Sequence, residues 1–291
     1  MNTDTSVTSI VAVTGASGFL GSAIIDELKA RELAVLAISR EEIMPQEGMQ
    51  ILNVPHYQDL AVPAGIPLIH MAGEARIAVA NQSGDAHVEM ETALAQSICN
   101  SGAGRIVYGS SARVYGDNSE APHSPDEVLV KSSPYAEAKK AVENLVIQSG
   151  GVVARISNVY GEGMNGTLIM DVLAQIPGQG PLYLRDAQSR RDFLWVKDTA
   201  RGLVDIALGK TTGIFNLGTG VTHSAEDVAQ LALKAAGEAN RPIHSTQPDT
   251  APTSNTLEIS DTTRAFGWRP ETTLEAGLRC LLNQDGHKEN E

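Results

Sequence analysis

The stretch Val11-Ala12-Val13-Thr14-Gly15-Ala16-Ser17-Gly18-Phe19-Leu20-Gly21 constrains this chain more than any other. An apolar run ends in Gly15, Gly18 and Gly21 at three-residue spacing, and a helix-like pattern follows from Ser22 to Arg31. A strand that feeds a helix through such a turn aims backbone N–H groups and the positive end of the helix dipole at one spot, which is a phosphate site. Gly15 allows the tight turn, Gly18 lets the backbone approach a pyrophosphate, and Gly21 lets the helix pack close to the strand. Three glycines alone also fit an ordinary glycine-rich loop. Position favours the dinucleotide reading, because the loop lies at the first strand–helix junction.

Further along, Leu33–Ser39 reads as a second strand, Ile51–Val54 as a third and Pro67–Met71 as a fourth. Ala86–Ser101 has helical spacing of apolar residues, and Arg105–Tyr108 reads as a fifth strand running into Gly109-Ser110-Ser111. Strands alternating with helices over this length predict an α/β fold with a doubly wound parallel sheet. Ligands of such sheets sit beyond the carboxyl ends of the strands, where Ser110 and Ser111 fall. The second strand ends in Ser39-Arg40 instead of an acidic residue. A guanidinium there can grip a 2′-phosphate, which favours NADP, with NAD as the alternative. The small residues of Met71-Ala72-Gly73 suit close passage of a ligand.

Asp117–Ser133 is polar and proline-bearing and reads as a loop. The next helix, Pro134 to Ile147, carries Tyr135 and Lys139 four residues apart, so both lie on one face. A nearby ammonium favours a phenolate and makes a tyrosine a usable acid or base. Glu89 and Glu91 are expected on a solvated helix face, and His70 as a packed strand-end residue. A hydrolase triad is disfavoured because no Gly-x-Ser-x-Gly elbow is present.

Taken in order, Thr14–Gly21, Ser110–Gly116, Tyr135–Lys139, Arg155–Gly161, Arg190–Asp198, Ile214–Gly220 and Phe266–Pro270 resemble the extended short-chain dehydrogenase/reductases, specifically the nucleotide-sugar epimerase/dehydratase group. The resemblance implies a Rossmann-like domain over residues 1–160, with 193–220 returning to it, and a smaller substrate-binding domain from 161–192 and 221–291. It implies Tyr135 as the acid/base, Lys139 binding the nicotinamide ribose and tuning Tyr135, and Ser111 holding the substrate oxygen, with Ser110 as the one-residue alternative. Cofactor contacts are expected from Gly15, Ser17, Gly18, Phe19, Leu20 and Gly21, from Ser39 and Arg40, from Asp59 and Leu60 at the adenine, and from Met71, Ala72 and Gly73. Asn158 and Arg191 are expected on the substrate's phosphate side, and a homodimer through Ala86–Ser101 and Tyr135–Ile147.

Three departures shape the expected activity. The sugar 4,6-dehydratases place an Asp-Glu pair after the hydroxyl residue; here Ala112-Arg113 follows, which disfavours dehydration. Gln247, in Gln247-Pro248-Asp249, stands where the family's late stretch has a phosphate-contacting arginine. Val88 stands at the asparagine position of the helix Ala86–Ser101. The expected enzyme is an NADP(H)-dependent oxidoreductase, a 4-ketoreductase of a 4-keto (deoxy)hexose nucleotide. The alternative is an NAD(P)-dependent nucleotide-sugar 4-epimerase, and a remoter one a catalytically silent redox-sensing binding protein. A reductase for a non-sugar carbonyl stays open.

A formal net charge of −13 argues against nucleic acid or an anionic membrane as partner. Cys99 and Cys280 lie far apart with no metal-ligand spacing, so neither a disulfide scaffold nor a metal site is expected. With no signal-like start and no apolar run long enough to span a bilayer, the expected location is cytoplasmic. Met1–Ser9 reads as a frayed tail and Gln284–Glu291 as a mobile one.

Overall fold

The computed structural model describes residues 9–116, 121–129, 133–164, 166–247 and 251–288. Most of the expected N-terminal tail, parts of the proline-bearing loop, and Pro248 and Asp249 lie outside the described residues. The chain runs β1 (Ile10–Thr14), α1 (Phe19–Ala30), β2 (Ala34–Ser39), β3 (Met49–Asn53), β4 (Leu68–His70), α2 (Ile77–Ser83), α3 (Asp85–Cys99) and β5 (Ile106–Ser111). It continues with α4 (Pro134–Gln148), β6 (Val152–Ile156), β7 (Asn158–Tyr160), α5 (Leu168–Leu173), β8 (Leu182–Leu184), β9 (Arg190–Trp195), α6 (Val196–Leu208) and β10 (Gly213–Leu217). The last elements are β11 (Thr222–Ser224), α7 (Ala225–Ala235), β12 (Ile243–Ser245), β13 (Ser254–Asn255), α8 (Ser260–Phe266) and α9 (Leu274–Lys288).

Two compact units divide these elements. The first holds the described residues of Met1–Val114, Lys131–Arg155 and Ala200–Phe215. Its sheet has the order β10-β6-β5-β4-β1-β2-β3. β1 pairs in parallel with β2 and β4, β2 with β3, and β4 with β5. Val11, Ala12 and Val13 are fully buried, as a central strand covered on both faces requires. Strand order reverses between β1 and β4, the place where a doubly wound sheet opens a crevice at its carboxyl edge. Behind that edge, Ala95 and Ile98 of α3 share a core with Val142 and Val146 of α4 and with Leu68 and Tyr108.

The second unit holds the described residues of Tyr115–Val130, Ile156–Thr199 and Asn216–Glu291. β9 is its central strand, flanked by β11 and β13 and paired also with β7. This differs from the expected return of residues 193–220 to the large sheet: the backbone of β9 is already used by β7, β11 and β13, and only the stretch from Ala200 through β10 returns. Ser224 and Asp227 close a capping box that starts α7 sharply. Trp268 is buried and its indole N–H donates to the Asp198 carbonyl at 3.0 Å. At the end of the chain, the expected tail from Gln284 instead continues α9 to Lys288.

Candidate active site

The glycine loop packs as the sequence demands. Gly15 has φ +68°, and a Cβ there would lie 2.8 Å from the Ala72 nitrogen. A Cβ on Gly21 would collide with the Gly15 carbonyl. Gly18 is the N-cap of α1 and no side chain caps that helix end, so its first turn faces the loop with backbone donors alone. A cradle that any Cβ would fill, at an uncapped helix N-terminus, fits a dinucleotide pyrophosphate.

Thr14 ties this loop to the end of β4. Its hydroxyl accepts from the Met71 and Ala72 N–H groups at 3.2 and 3.3 Å and lies 2.8 Å from Nδ1 of His70. With both acceptor directions used, the hydroxyl proton goes to Nδ1, so His70 is a neutral acceptor there. Burial, helped by the Lys139 charge, pushes the His70 pKa down to about 3. His70 is thus the packed strand-end residue expected, stacked on Tyr108 at 5.5 Å.

At the end of β2, buried Ser39 donates to the Ser17 hydroxyl at 3.2 Å and accepts the Glu41 N–H. Arg40 is exposed and lines a cavity of about 410 Å³ together with Pro55, His56, Tyr57, Gly73 and Glu91. Burial raises the Tyr57 pKa, while a hydrogen bond from the Gly15 backbone and the Arg40 charge oppose the rise. Asp59 and Leu60 do not line this cavity. Asp59 is exposed in the short turn Tyr57–Asp59 and Leu60 is buried in the core, while the chain lines the cavity at Pro55–Gln58.

The third cluster sits on β5, α4 and β6. Ser133 caps α4 by accepting the Ala136 N–H, and Pro134 occupies the first turn. Tyr135, Lys139 and Glu143 then follow at four-residue spacing on one face. Glu143 is 2% exposed; it accepts from the Ser110 hydroxyl at 2.5 Å and from the Arg155 guanidinium at 2.8 to 3.2 Å. Ser110 is therefore committed to Glu143, whereas Ser111 is partly exposed at the strand's end and accepts the Arg113 N–H. Tyr135 is buried, and its N–H donates to the Asn81 side chain at 3.1 Å. The Lys139 ammonium lies 5.0 Å from the Tyr108 ring centroid and 5.6 Å from that of Tyr135. Burial opposes its charge, but Tyr108, Tyr135 and Glu91 outweigh burial and its pKa is raised. Burial likewise pushes the Tyr108 phenol up, against the pull of Lys139.

In the second unit, Asn158 donates to the Asp192 carbonyl at 3.2 Å. Arg191 donates to the Thr253 hydroxyl at 2.7 Å and to the carbonyls of Thr253 and Arg190. Between them in the same unit, Asp192 is fully buried and accepts from Thr219 N–H, Thr219 hydroxyl and Gly220 N–H at 2.8 to 3.0 Å. Its pKa is raised by burial, which those donors counter. Gln247 accepts from Arg185 at 3.2 Å.

Sequence reasoning missed Glu143, Arg155, Thr14, Tyr57 and Glu91 as parts of this site. Glu89 is exposed as expected, but Glu91 is buried, because Gly73 leaves room for its carboxylate.

A crevice at a strand-order reversal, a glycine cradle and a tyrosine–lysine helix define a short-chain dehydrogenase/reductase type of enzyme. Residues 11–218 match the model of the NAD dependent epimerase/dehydratase family, and the chain belongs to that family. A Methanocaldococcus jannaschii protein provisionally named a UDP-glucose 4-epimerase is 24% identical over 304 residues, which cover 94% of this chain and 97% of that protein. Among solved structures, MoeE5 in complex with UDP-glucose and NAD is 23% identical, with a TM-score of 0.80 over 97% of this chain and all of that one. The UDP-N-acetylglucosamine 4-epimerase of Methanobrevibacter ruminantium, in complex with UDP-N-acetylmuramic acid, is 20% identical, with a TM-score of 0.81 over 97% of this chain and 99% of that one. No helix among the described residues is long and apolar enough to cross a membrane.

Proposed function

We propose that this enzyme is a nucleotide-sugar 4-epimerase that works with a bound nicotinamide dinucleotide. The observation that carries the reading is the α4 face, which presents Tyr135 and Lys139 beside the β5 end that bears Ser111. When bound, the dinucleotide supplies hydride acceptance from the sugar carbon and its return. Tyr135 takes the proton from the sugar hydroxyl as hydride leaves and gives it back on return. Ser111, whose hydroxyl is not drawn off by Glu143, orients the same oxygen, and Lys139 keeps positive charge beside the phenol. No carboxylic acid follows Ser111, only Ala112 and Arg113, so water elimination has no acid of the expected kind. Asn158 and Arg191 of the second unit are assigned to the substrate's phosphates, and that unit to substrate binding. The relatives named as 4-epimerases support this reading.

The second reading is a 4-ketoreductase that consumes NADPH, and Arg40 in the cavity wall favours it. The two part on one experiment. With a nucleotide hexose and catalytic dinucleotide, an epimerase produces the C4 epimer with no net change in reduced cofactor. A reductase oxidises one NADPH for each 4-keto sugar nucleotide reduced and interconverts nothing. For the NADP preference, Arg40→Ala should weaken NADPH about 10- to 100-fold and leave NADH nearly unchanged, since a charge-assisted phosphate contact is worth about 1.5–3 kcal/mol. Equal losses for both dinucleotides contradict that preference. We also infer a homodimer through α3 and α4, as the family resemblance implies; a monomeric mass by light scattering contradicts it.

A further inference from the structure

Lys139 is partly buried on α4, and the carboxylates that follow it and precede it on that helix are engaged elsewhere: Glu137 pairs with Lys140 and Glu143 with Arg155. What the Lys139 ammonium meets is two rings, at 5.0 Å from the Tyr108 centroid and 5.6 Å from that of Tyr135. A cation within about 6 Å of an aromatic centroid is attracted by the negative face of the ring, more strongly where water is excluded. Tyr108 is the nearer of the two. It also belongs to a strand of the sheet, whereas Tyr135 shares the helix of Lys139 and moves with it.

Tyr108 is 1% exposed, and its hydroxyl is buried with no hydrogen-bond partner among the described residues. A buried hydroxyl left unpaired costs stability, so what this side chain offers its surroundings is the ring. The sheet sets that ring in place. Thr14 on β1 is paired with His70 on β4, and His70 with Tyr108 on β5, which puts the three in one row across three parallel strands. The Thr14 hydroxyl lies 2.8 Å from Nδ1 of His70, and the His70 ring stacks on Tyr108 with centroids 5.5 Å apart and planes at 30°. All three side chains are buried. The row starts next to Gly15 and ends at the Lys139 ammonium.

We propose that Tyr108 is a positioning residue of the dinucleotide site: its ring face holds the Lys139 ammonium, and the row Thr14–His70–Tyr108 sets that ring in register with the glycine loop. The role rests on the dinucleotide reading of the site given above, in which Lys139 meets the nicotinamide ribose. Tyr108 acts through Lys139 and is assigned no contact with a reacting atom.

The test is NADH affinity of the full-length protein, followed by NADH fluorescence beside thermal unfolding. Tyr108→Phe keeps the ring and removes the unpaired hydroxyl. It should bind NADH within about twofold of the parent and unfold at the same or a higher temperature. Incorporation of 3,5-difluoro- and 3,4,5-trifluorophenylalanine at position 108 keeps the shape of the ring and drains its negative face. Affinity should fall stepwise from Tyr108→Phe through the two fluorinated proteins, by about 2- to 30-fold in all. In a Lys139→Met background the same series should be flat, which a purely structural role of the ring does not predict. A flat series in the presence of Lys139 overturns the role, as does an equal decline with and without it. A Tyr108→Phe protein that fails to fold, or that loses more than about twofold in affinity, also overturns it, because the hydroxyl is then what matters. If Lys139→Met binds NADH too weakly to follow, the series with Lys139 present decides alone. A parent that binds no NADH contradicts the proposed function itself, an outcome separate from a flat series in a protein that binds.

Discussion

The candidate groups of the two units are held in different ways. In the first unit, the helix that carries Tyr135 and Lys139 is locked to the sheet by a charged cluster, with Glu143 gripping Ser110 on β5 and Arg155 on β6. In the second, Asn158 and Arg191 rest mainly on backbone carbonyls and one threonine hydroxyl, while the buried charge beside them, Asp192, organises a loop of backbone N–H groups. The first arrangement fixes the register of a helix on a strand. The second sets an amide and a guanidinium against backbone carbonyls rather than against a buried carboxylate. Catalytic geometry needs the former, because a small misplacement costs rate steeply. Recognition tolerates the latter.

The contrast breaks first at Glu143. Glu143→Ala leaves the Arg155 guanidinium buried without its partner and should destabilise the protein by about 3–5 kcal/mol, read by denaturant unfolding. Asp192→Asn should cost less, about 1–3 kcal/mol, since one face of the amide meets donors with a donor. If Asp192→Asn proves the more damaging, the two units are not held as described. Gly218→Ala provides a companion check, because a Cβ at Gly218 would lie 2.6 Å from Oδ2 of Asp192.

A third effect comes from His70 and depends on pH. Its folded pKa of about 3 lies below the unfolded value of about 6.5, so the unfolded chain binds the extra proton between them. The stability associated with the neutral imidazole is complete above about pH 6.5 and declines as pH falls toward 3, by at most about 1.4 kcal/mol per pH unit. His70→Asn should flatten that slope in urea unfolding curves taken from pH 7 downward. An unchanged slope means that His70 does not titrate as its burial requires.

Much of the first unit was legible because its signals are local. Gly18 and Gly21 are demanded by contacts within a single turn, Gly15 has the positive φ that the turn needs, and the apolar runs of β1 and β2 report burial on both faces. The face shared by Tyr135 and Lys139 follows from helical spacing alone. Glu91 and Glu143 were illegible because a carboxylate at a helical position looks solvated until its partner is known. Those partners, Gly73 with Glu74 and Ser110 with Arg155, lie on other elements. The small sheet around β9 escaped detection because its strands are two to six residues long and draw partners from distant segments.

The claim at the centre of this account is that Tyr135 moves the proton. Tyr135→Phe removes only a hydroxyl from a buried ring and should leave unfolding temperature and dinucleotide affinity near those of the parent. Turnover of the nucleotide sugar, measured beside that affinity, should fall on the order of 10²- to 10⁴-fold, the contribution of a positioned acid or base. A Tyr135→Phe enzyme that binds dinucleotide and turns over at close to the parent rate would contradict the account.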